Sequence, residues 1–358
     1  VRGLVARAAD APLRVEPVEL PETGPGQVRV RTRASGVCHS DLSMADGTLT
    51  APYPLLLGHE AAGVVAEVGD GVDRVAPGDH VVLNWAPACR SCWFCRRDEP
   101  WLCRRNGAPA VARGHTVDGR PLHVTLGLGA LAEQVLVPQE AAVAVPSALP
   151  FPAAALLGCA VLTGVGAVRR TARVAAGDSV AVIGLGGVGL SAVAAARAAG
   201  AAVVIGVDVA PAKAELAAAA GATDFLLADD SLVRAVRGLT GGRGVDHAVE
   251  CVGRSATIRS AWQSTRRGGQ VVVVGMGGKD DIVGLSALDI FHSARTLRSS
   301  VYGSSDPDRD VPELARAVLD GTLDLSYLVT DRATLDEAPA AFARMARGEG
   351  ARTVVEFD

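Results

Sequence analysis

The stretch Ser179-Val180-Ala181-Val182-Ile183-Gly184-Leu185-Gly186-Gly187-Val188-Gly189 decides the fold. A short, almost wholly apolar strand runs straight into a G-x-G-x-x-G turn. An Ala-rich helix, 190–199, follows and stops at Gly200. A second apolar strand, Val203-Val204-Ile205-Gly206-Val207, ends on Asp208. A lone glycine motif is an ordinary turn; strand, turn, helix, strand and a terminal acid make it a dinucleotide fingerprint. Gly184, Gly186, Gly187 and Gly189 let the backbone approach a pyrophosphate resting on the helix N-terminus. The Asp208 carboxylate suits the hydroxyls of an adenosine ribose and repels a 2′-phosphate, so the expected cofactor is NAD.

Downstream the alternation continues: helix 211–220, strand 224–228, helix 230–237, strand 245–250, helix 254–266 and strand 270–275. That is the grammar of a doubly wound parallel sheet covered by helices on both faces. A last apolar strand is expected near Leu297–Tyr302. Helices around 311–319 and 335–347 and a strand Arg352–Phe357 then follow the nucleotide unit and are expected to return to the first domain.

Upstream the pattern is different. Residues 1 to about 37, and again Gly63–Gly69 and Pro77–Val82, alternate apolar with polar between Pro and Gly turns, which reads as a barrel-like β unit. Inside it lie Cys38-His39-Ser40-Asp41 and Gly58-His59-Glu60. One thiol and one imidazole are two of the three protein ligands of a catalytic zinc. Cys159, at the end of the helix-forming run Ala153–Gly158, would by itself be read as a buried core cysteine. With Cys38 and His59 needing a partner, it is the favoured third ligand. Cys89, Cys92, Cys95 and Cys103 have the spacing to close a tetrahedron around a second, structural zinc; surface or redox cysteines are the alternative. His115, His123 and Cys251 read as surface or buried residues, not ligands.

Composition sets the outer limits. The 358 residues suffice for two domains. With 35 Lys and Arg against 39 Asp and Glu, the formal net charge of −4 offers no basic surface for nucleic acid or an acidic membrane. Lysines number only two, Lys213 and Lys279, which fits GC-rich coding more than function. The start, Val1-Arg2-Gly3-Leu4, has no signal-peptide pattern, and no apolar stretch is long enough to span a bilayer. Clustered cysteines point to metal in a reducing, cytoplasmic setting.

These motifs resemble the zinc-dependent medium-chain alcohol dehydrogenases, and the likeness covers nearly the whole chain. The resemblance implies a GroES-like catalytic domain from residues 1–160 and 302–358, with a structural zinc lobe at 89–103, and a Rossmann NAD-binding domain over 161–301. It implies Cys38, His59 and Cys159 as catalytic zinc ligands, Glu60 as the acid behind the metal and Asp41 as the carboxylate orienting the histidine. Ser40 matches the hydroxyl that takes the substrate proton. Gly184 to Gly189, Asp208 and Lys213 match the cofactor fingerprint, Thr163, Val188 and Val274 the surroundings of the nicotinamide, and His39 and Arg352 the pyrophosphate contacts. Leu49 and Trp85 match the substrate pocket; for Trp85 the alternative is a packing role alone. The implied activity is reversible hydride transfer between an alcohol and NAD.

Three positions depart from the family pattern. Ser43 replaces a histidine that ends a proton relay in many relatives. Leu49 and Gly107 replace an acid and an arginine found in glutathione-dependent formaldehyde enzymes, which argues for a neutral alcohol or aldehyde. A nicotinoprotein with retained NAD and a thiol-adduct formaldehyde dehydrogenase are the alternative enzyme readings; a non-enzymatic zinc module is disfavoured. The loops 49–57, 104–129 and 278–295 set the pocket size. An uncovered strand edge near Ser299–Val301 invites pairing with a second copy, as a homodimer or homotetramer.

Overall fold

Val28, Val30 and Thr32 are buried while Arg31 between them is exposed, so Gln27–Gly36 forms a half-buried strand. The structure, a computed structural model, describes residues 1–107 and 112–358; of the loop 104–129, residues 108–111 lie outside the described residues. It divides into two units, Val1–Leu162 with Asp306–Asp358, and Thr163–Ser305.

In the first unit the strand Gln27–Gly36 is the hub of a seven-stranded sheet. Ala61–Val68 pairs along one side of it. Gln134–Pro138 pairs with its first half and the C-terminal strand Arg352–Glu356 with its end, all antiparallel. This register is why both ends of the chain share one domain. A second, five-stranded sheet is built around Arg2–Ala6. The apolar faces close over two cores. One holds Leu4, Val37, Leu57, Phe342 and Val355; the other holds Val30, Ala61, Val81, Leu83 and Val137.

In the second unit six parallel strands lie side by side. Counted along the chain, their order across the sheet is third, second, first, fourth, fifth, sixth. The first, Ser179–Ile183, is central, and Val180 to Ile183 are all buried, as a strand covered on both faces must be. The order reverses beside it, and dinucleotides bind at such a switch point.

Four expected elements differ in their bounds. The last sheet strand is Thr296–Ser299, and its residues are exposed. Beyond it the chain turns sharply, with Tyr302, Gly303 and Ser304 all at positive φ, so the expected continuation to Tyr302 does not form. The fifth strand starts at Thr265, so the helix before it ends at Ser264. The helix expected at 311–319 begins at Pro307, because Asp306 caps it through the Asp308 N–H and proline suits the first helical turn. Among the described residues, no single helix is long and apolar enough to cross a membrane.

Candidate active site and metal centres

Cys38 leaves the strand Gln27–Gly36 in an extended conformation and precedes the helix His39–Ala45. His59 follows Gly58, whose φ of +101 excludes most side chains and whose added Cβ would lie 2.2 Å from Leu131 N. Cys159 sits between the helices Phe151–Leu157 and Ala160–Gly166. All three are buried, and one ligand atom from each lies within 4.8 Å of the others. Cys159 Sγ is 3.3 Å from His59 Nε2.

The buried Asp41 carboxylate determines which histidine nitrogen faces the thiols. Its Oδ2 is 2.8 Å from His59 Nδ1, leaving Nε2 for a metal. Behind the trio Glu60 Oε1 accepts the Ala160 N–H at 3.2 Å, and Glu60 Oε2 is 3.6 Å from Arg352 Nε. Burial pushes the Glu60 carboxyl up to about 7 against the opposing charge of Arg352. Gly36 makes room for this acid, since a Cβ there would meet Glu60 Cδ at 2.9 Å. Arg352 Nη1 donates to Val37 O at 3.3 Å, and its Nη2 is 3.6 Å from Cys38 Sγ. The guanidinium expected at a pyrophosphate thus lies among the ligand residues and pairs with Glu60. Sequence reasoning missed that pairing and the roles of Gly36 and Gly58; Gly58, immediately before His59, was the one readable signal.

Cys89, Cys92, Cys95 and Cys103 likewise bring their sulfurs within 4.8 Å of one another. Backbone N–H groups point at them: Cys89 N is 3.2 Å from Cys103 Sγ and Cys92 N is 3.3 Å from Cys89 Sγ. N–H donors aimed at sulfur favour thiolates. A trio of two thiols and an oriented imidazole, and a closed set of four thiols, fit a catalytic and a structural zinc respectively.

Ser40 and the exposed His39 open the helix after Cys38. Leu49 is half-buried, its N–H bonded to Ser43 O at 2.7 Å. Trp85 packs on the core that contains Val30 and Leu83. In the second unit Gly184 has φ +92, and a Cβ on Gly189 would stand 1.8 Å from Gly184 O, so both glycines are forced by the fold. Gly186 is different. A Cβ there meets no atom of the described residues within 4 Å, so the fold itself does not demand a glycine at this position. Gly187 and Val188 open the helix Gly187–Ala198. Asp208 accepts the Leu185 N–H at 2.8 Å and the Ala210 N–H at 3.0 Å, which ties the acid to the glycine turn. Thr163 and Lys213 are buried, and Val274 is half-buried.

Comparison with known proteins gives the same picture. Residues 24–147 match the family described as alcohol dehydrogenase GroES-like domain, and residues 187–320 match zinc-binding dehydrogenase. S-(hydroxymethyl)glutathione dehydrogenase of Escherichia coli is 34% identical over 99% of each chain. The chain belongs to the zinc-dependent medium-chain alcohol dehydrogenases.

Solved members of the family superpose over essentially the full length. An alcohol dehydrogenase zinc-binding domain protein from Burkholderia ambifaria gives a TM-score of 0.93 at 34% identity, covering 100% of this chain and 98% of that one. Benzyl alcohol dehydrogenase from Acinetobacter calcoaceticus gives 0.91 at 27% identity, covering 100% and 99%. A zinc-binding dehydrogenase from Sinorhizobium meliloti, bound to NADP, gives 0.82 at 27% identity, covering 99% of each. This alcohol dehydrogenase family member is accordingly an oxidoreductase acting on CH–OH groups, with a GroES-like domain and a Rossmann domain.

Proposed function

We propose that this chain catalyses reversible hydride transfer between a neutral alcohol and NAD, giving an aldehyde or ketone. The observation that carries the reading is the convergence of Cys38, His59 and Cys159, the number of protein ligands that a catalytic zinc uses when one position serves substrate. Zinc held there supplies a Lewis acid, and the nicotinamide supplies the hydride acceptor. Asp41 holds the imidazole in one tautomer. The Glu60–Arg352 pair sets the charge behind the ligands. Ser40, two residues from Cys38, takes the hydroxyl proton. Asp208 supports NAD over its 2′-phosphorylated relative.

Leu49 and Gly107 support a neutral substrate over a charged thiol adduct. The relatives named S-(hydroxymethyl)glutathione dehydrogenase favour the opposite reading. A panel of primary, secondary and aromatic alcohols, followed by NADH absorbance with and without a low-molecular-weight thiol, separates the two. Turnover that depends on the thiol would reverse the substrate assignment, and turnover without added NAD would place the chain among nicotinoproteins.

Among the described residues the strand Thr296–Ser299 pairs on one side only, and Ile282, Leu288, Phe291 and Leu297 near it in sequence are exposed. An uncovered edge with apolar neighbours supports a homodimer. In sedimentation, Phe291→Asp should shift the protein towards monomer; a wild type that is already monomeric would remove this part of the proposal. The four-thiolate site needs reduced cysteines, which supports a cytoplasmic location.

A further inference from the structure

Arg90 stands between two ligands of the four-thiolate site, in the left-handed conformation at φ +56. Its backbone N–H points at the Cys95 sulfur, so its main chain belongs to the shell of the structural metal. Its side chain leaves the lobe altogether. Nη1 donates to Asp306 Oδ2 at 2.7 Å and Nη2 to Asp306 Oδ1 at 2.6 Å, a two-pronged fork on one carboxylate. Nη2 also reaches Asp308 Oδ2 at 2.6 Å, while Arg74 holds the other oxygen of Asp308 at 2.6 Å.

Asp306 is a particular residue. It is the first residue of the first unit after the chain returns from the second. It is also the N-cap of the helix Pro307–Leu319, and its own N–H donates to Asp310 Oδ2 at 2.8 Å. That helix packs against Phe151–Leu157, which leads into Cys159. The carboxylate is 12% exposed, enough removed from water for a forked, charge-assisted pair to hold its geometry.

We infer that Arg90 is a positioning residue that moors the chain's return point and the helix after it to the structural zinc lobe. The four thiolates fix the Arg90 backbone, the backbone aims the fork, and the fork holds Asp306. The lobe, which does no chemistry, thereby reaches the helix that backs a catalytic ligand. The tie works in both directions, because a coupling free energy between two sites is reciprocal. Loosening Asp306 must weaken the hold of the quartet on its metal.

Asp306→Asn separates this tie from simple capping, since asparagine is as good an N-cap but carries no charge for the fork. The Cys159→Ala chain is expected to hold the quartet zinc alone, and transfer of that zinc to a chromogenic chelator gives a rate. In that background Asp306→Asn and Arg90→Ala are each expected to speed transfer about tenfold, the range for losing one charge-assisted pair in a network. The double variant is expected to go no faster than either single one, and Arg90→Lys to fall between. Amide exchange at 308–310 should rise when the zinc is removed from the chain with Asp306 intact, and not from Asp306→Asn. Unchanged transfer in Asp306→Asn, or effects that multiply in the double variant, would overturn the inference. A quartet without zinc in the Cys159→Ala chain would overturn the metal assignment along with it.

Discussion

Asp41 Oδ2 lies 2.8 Å from His59 Nδ1, while the other oxygen of the same buried carboxylate accepts the Gly58 N–H at 2.8 Å. One side chain thus orients a metal ligand and the turn that delivers it. Asp41→Asn keeps an acceptor for Gly58 and removes the charge facing the imidazole. Affinity for the catalytic zinc is expected to fall about 10–100-fold, with the structural zinc retained. Competition with a fluorescent zinc chelator measures it; an unchanged affinity would mean that Asp41 serves only the turn.

Cys159→Ala should lower the metal content from two zincs per chain to one. Losing the Lewis acid costs several kcal/mol of transition-state stabilisation, so activity should drop roughly a thousandfold or more. Metal analysis and turnover on the same preparation check both halves. Two zincs retained in the variant would exclude Cys159 as a ligand.

Gly186 and Gly189, two of the four glycines of the fingerprint, should behave differently. Gly189→Ala places a Cβ 1.8 Å from Gly184 O, and the helix–strand packing has no slack there, so stability should fall by about 2–3 kcal/mol. Gly186→Ala meets nothing in the protein, so its melting temperature should stay near wild type. If the dinucleotide rests on this turn, the added Cβ stands in its way, and NAD affinity should weaken at least tenfold. Thermal denaturation and cofactor titration of the pair decide the point. A Gly186→Ala variant with wild-type affinity would show that the dinucleotide does not rest on this turn.

Asp208 accepts the Leu185 N–H on one oxygen and the Ala210 N–H on the other, so Asp208→Asn keeps one of these two bonds and loses the charge. Removing that charge removes the repulsion of a 2′-phosphate, so kcat/KM with NADP should rise relative to NAD by about tenfold. Steady-state kinetics with both cofactors test it, and an unaltered ratio would move cofactor selection elsewhere.

Burial raises the Asp246 carboxyl, but hydrogen bonds from Ser179 and the Arg266 guanidinium outweigh it and hold the group at about 2. Its ordinary value is 3.8, so the folded state binds this proton less readily than the unfolded chain. The pair therefore stabilises fully above pH 3.8 and loses that contribution as pH falls from 3.8 towards 2. With solvent screening at this half-buried site the effect is about 1 kcal/mol. Asp246→Asn should flatten the stability curve in that window when unfolding is followed against pH.

Much of this was legible along the chain. The central strand, the glycine turn and Asp208 are local features, contiguous in sequence and set by short-range sterics. The four lobe cysteines lie close enough together for spacing alone to indicate a closed metal site. The start of the helix at Pro307 was not read from the chain, although Asp306 before a proline is a capping signal that could have given it.

What the sequence alone determined is therefore the residue types and the local turns: which thiols, imidazole, acid and glycines exist, and in what order. Only the tertiary structure decided which of them meet. Arg352, 292 residues beyond Glu60, is brought to it because the last strand pairs with the end of Gln27–Gly36. Arg90 meets Asp306, 216 residues away, where the cysteine lobe faces the cap of the helix Pro307–Leu319. Such long-range pairings leave no periodicity in the chain, because they depend on which strands close the sheet and not on the neighbours of either residue.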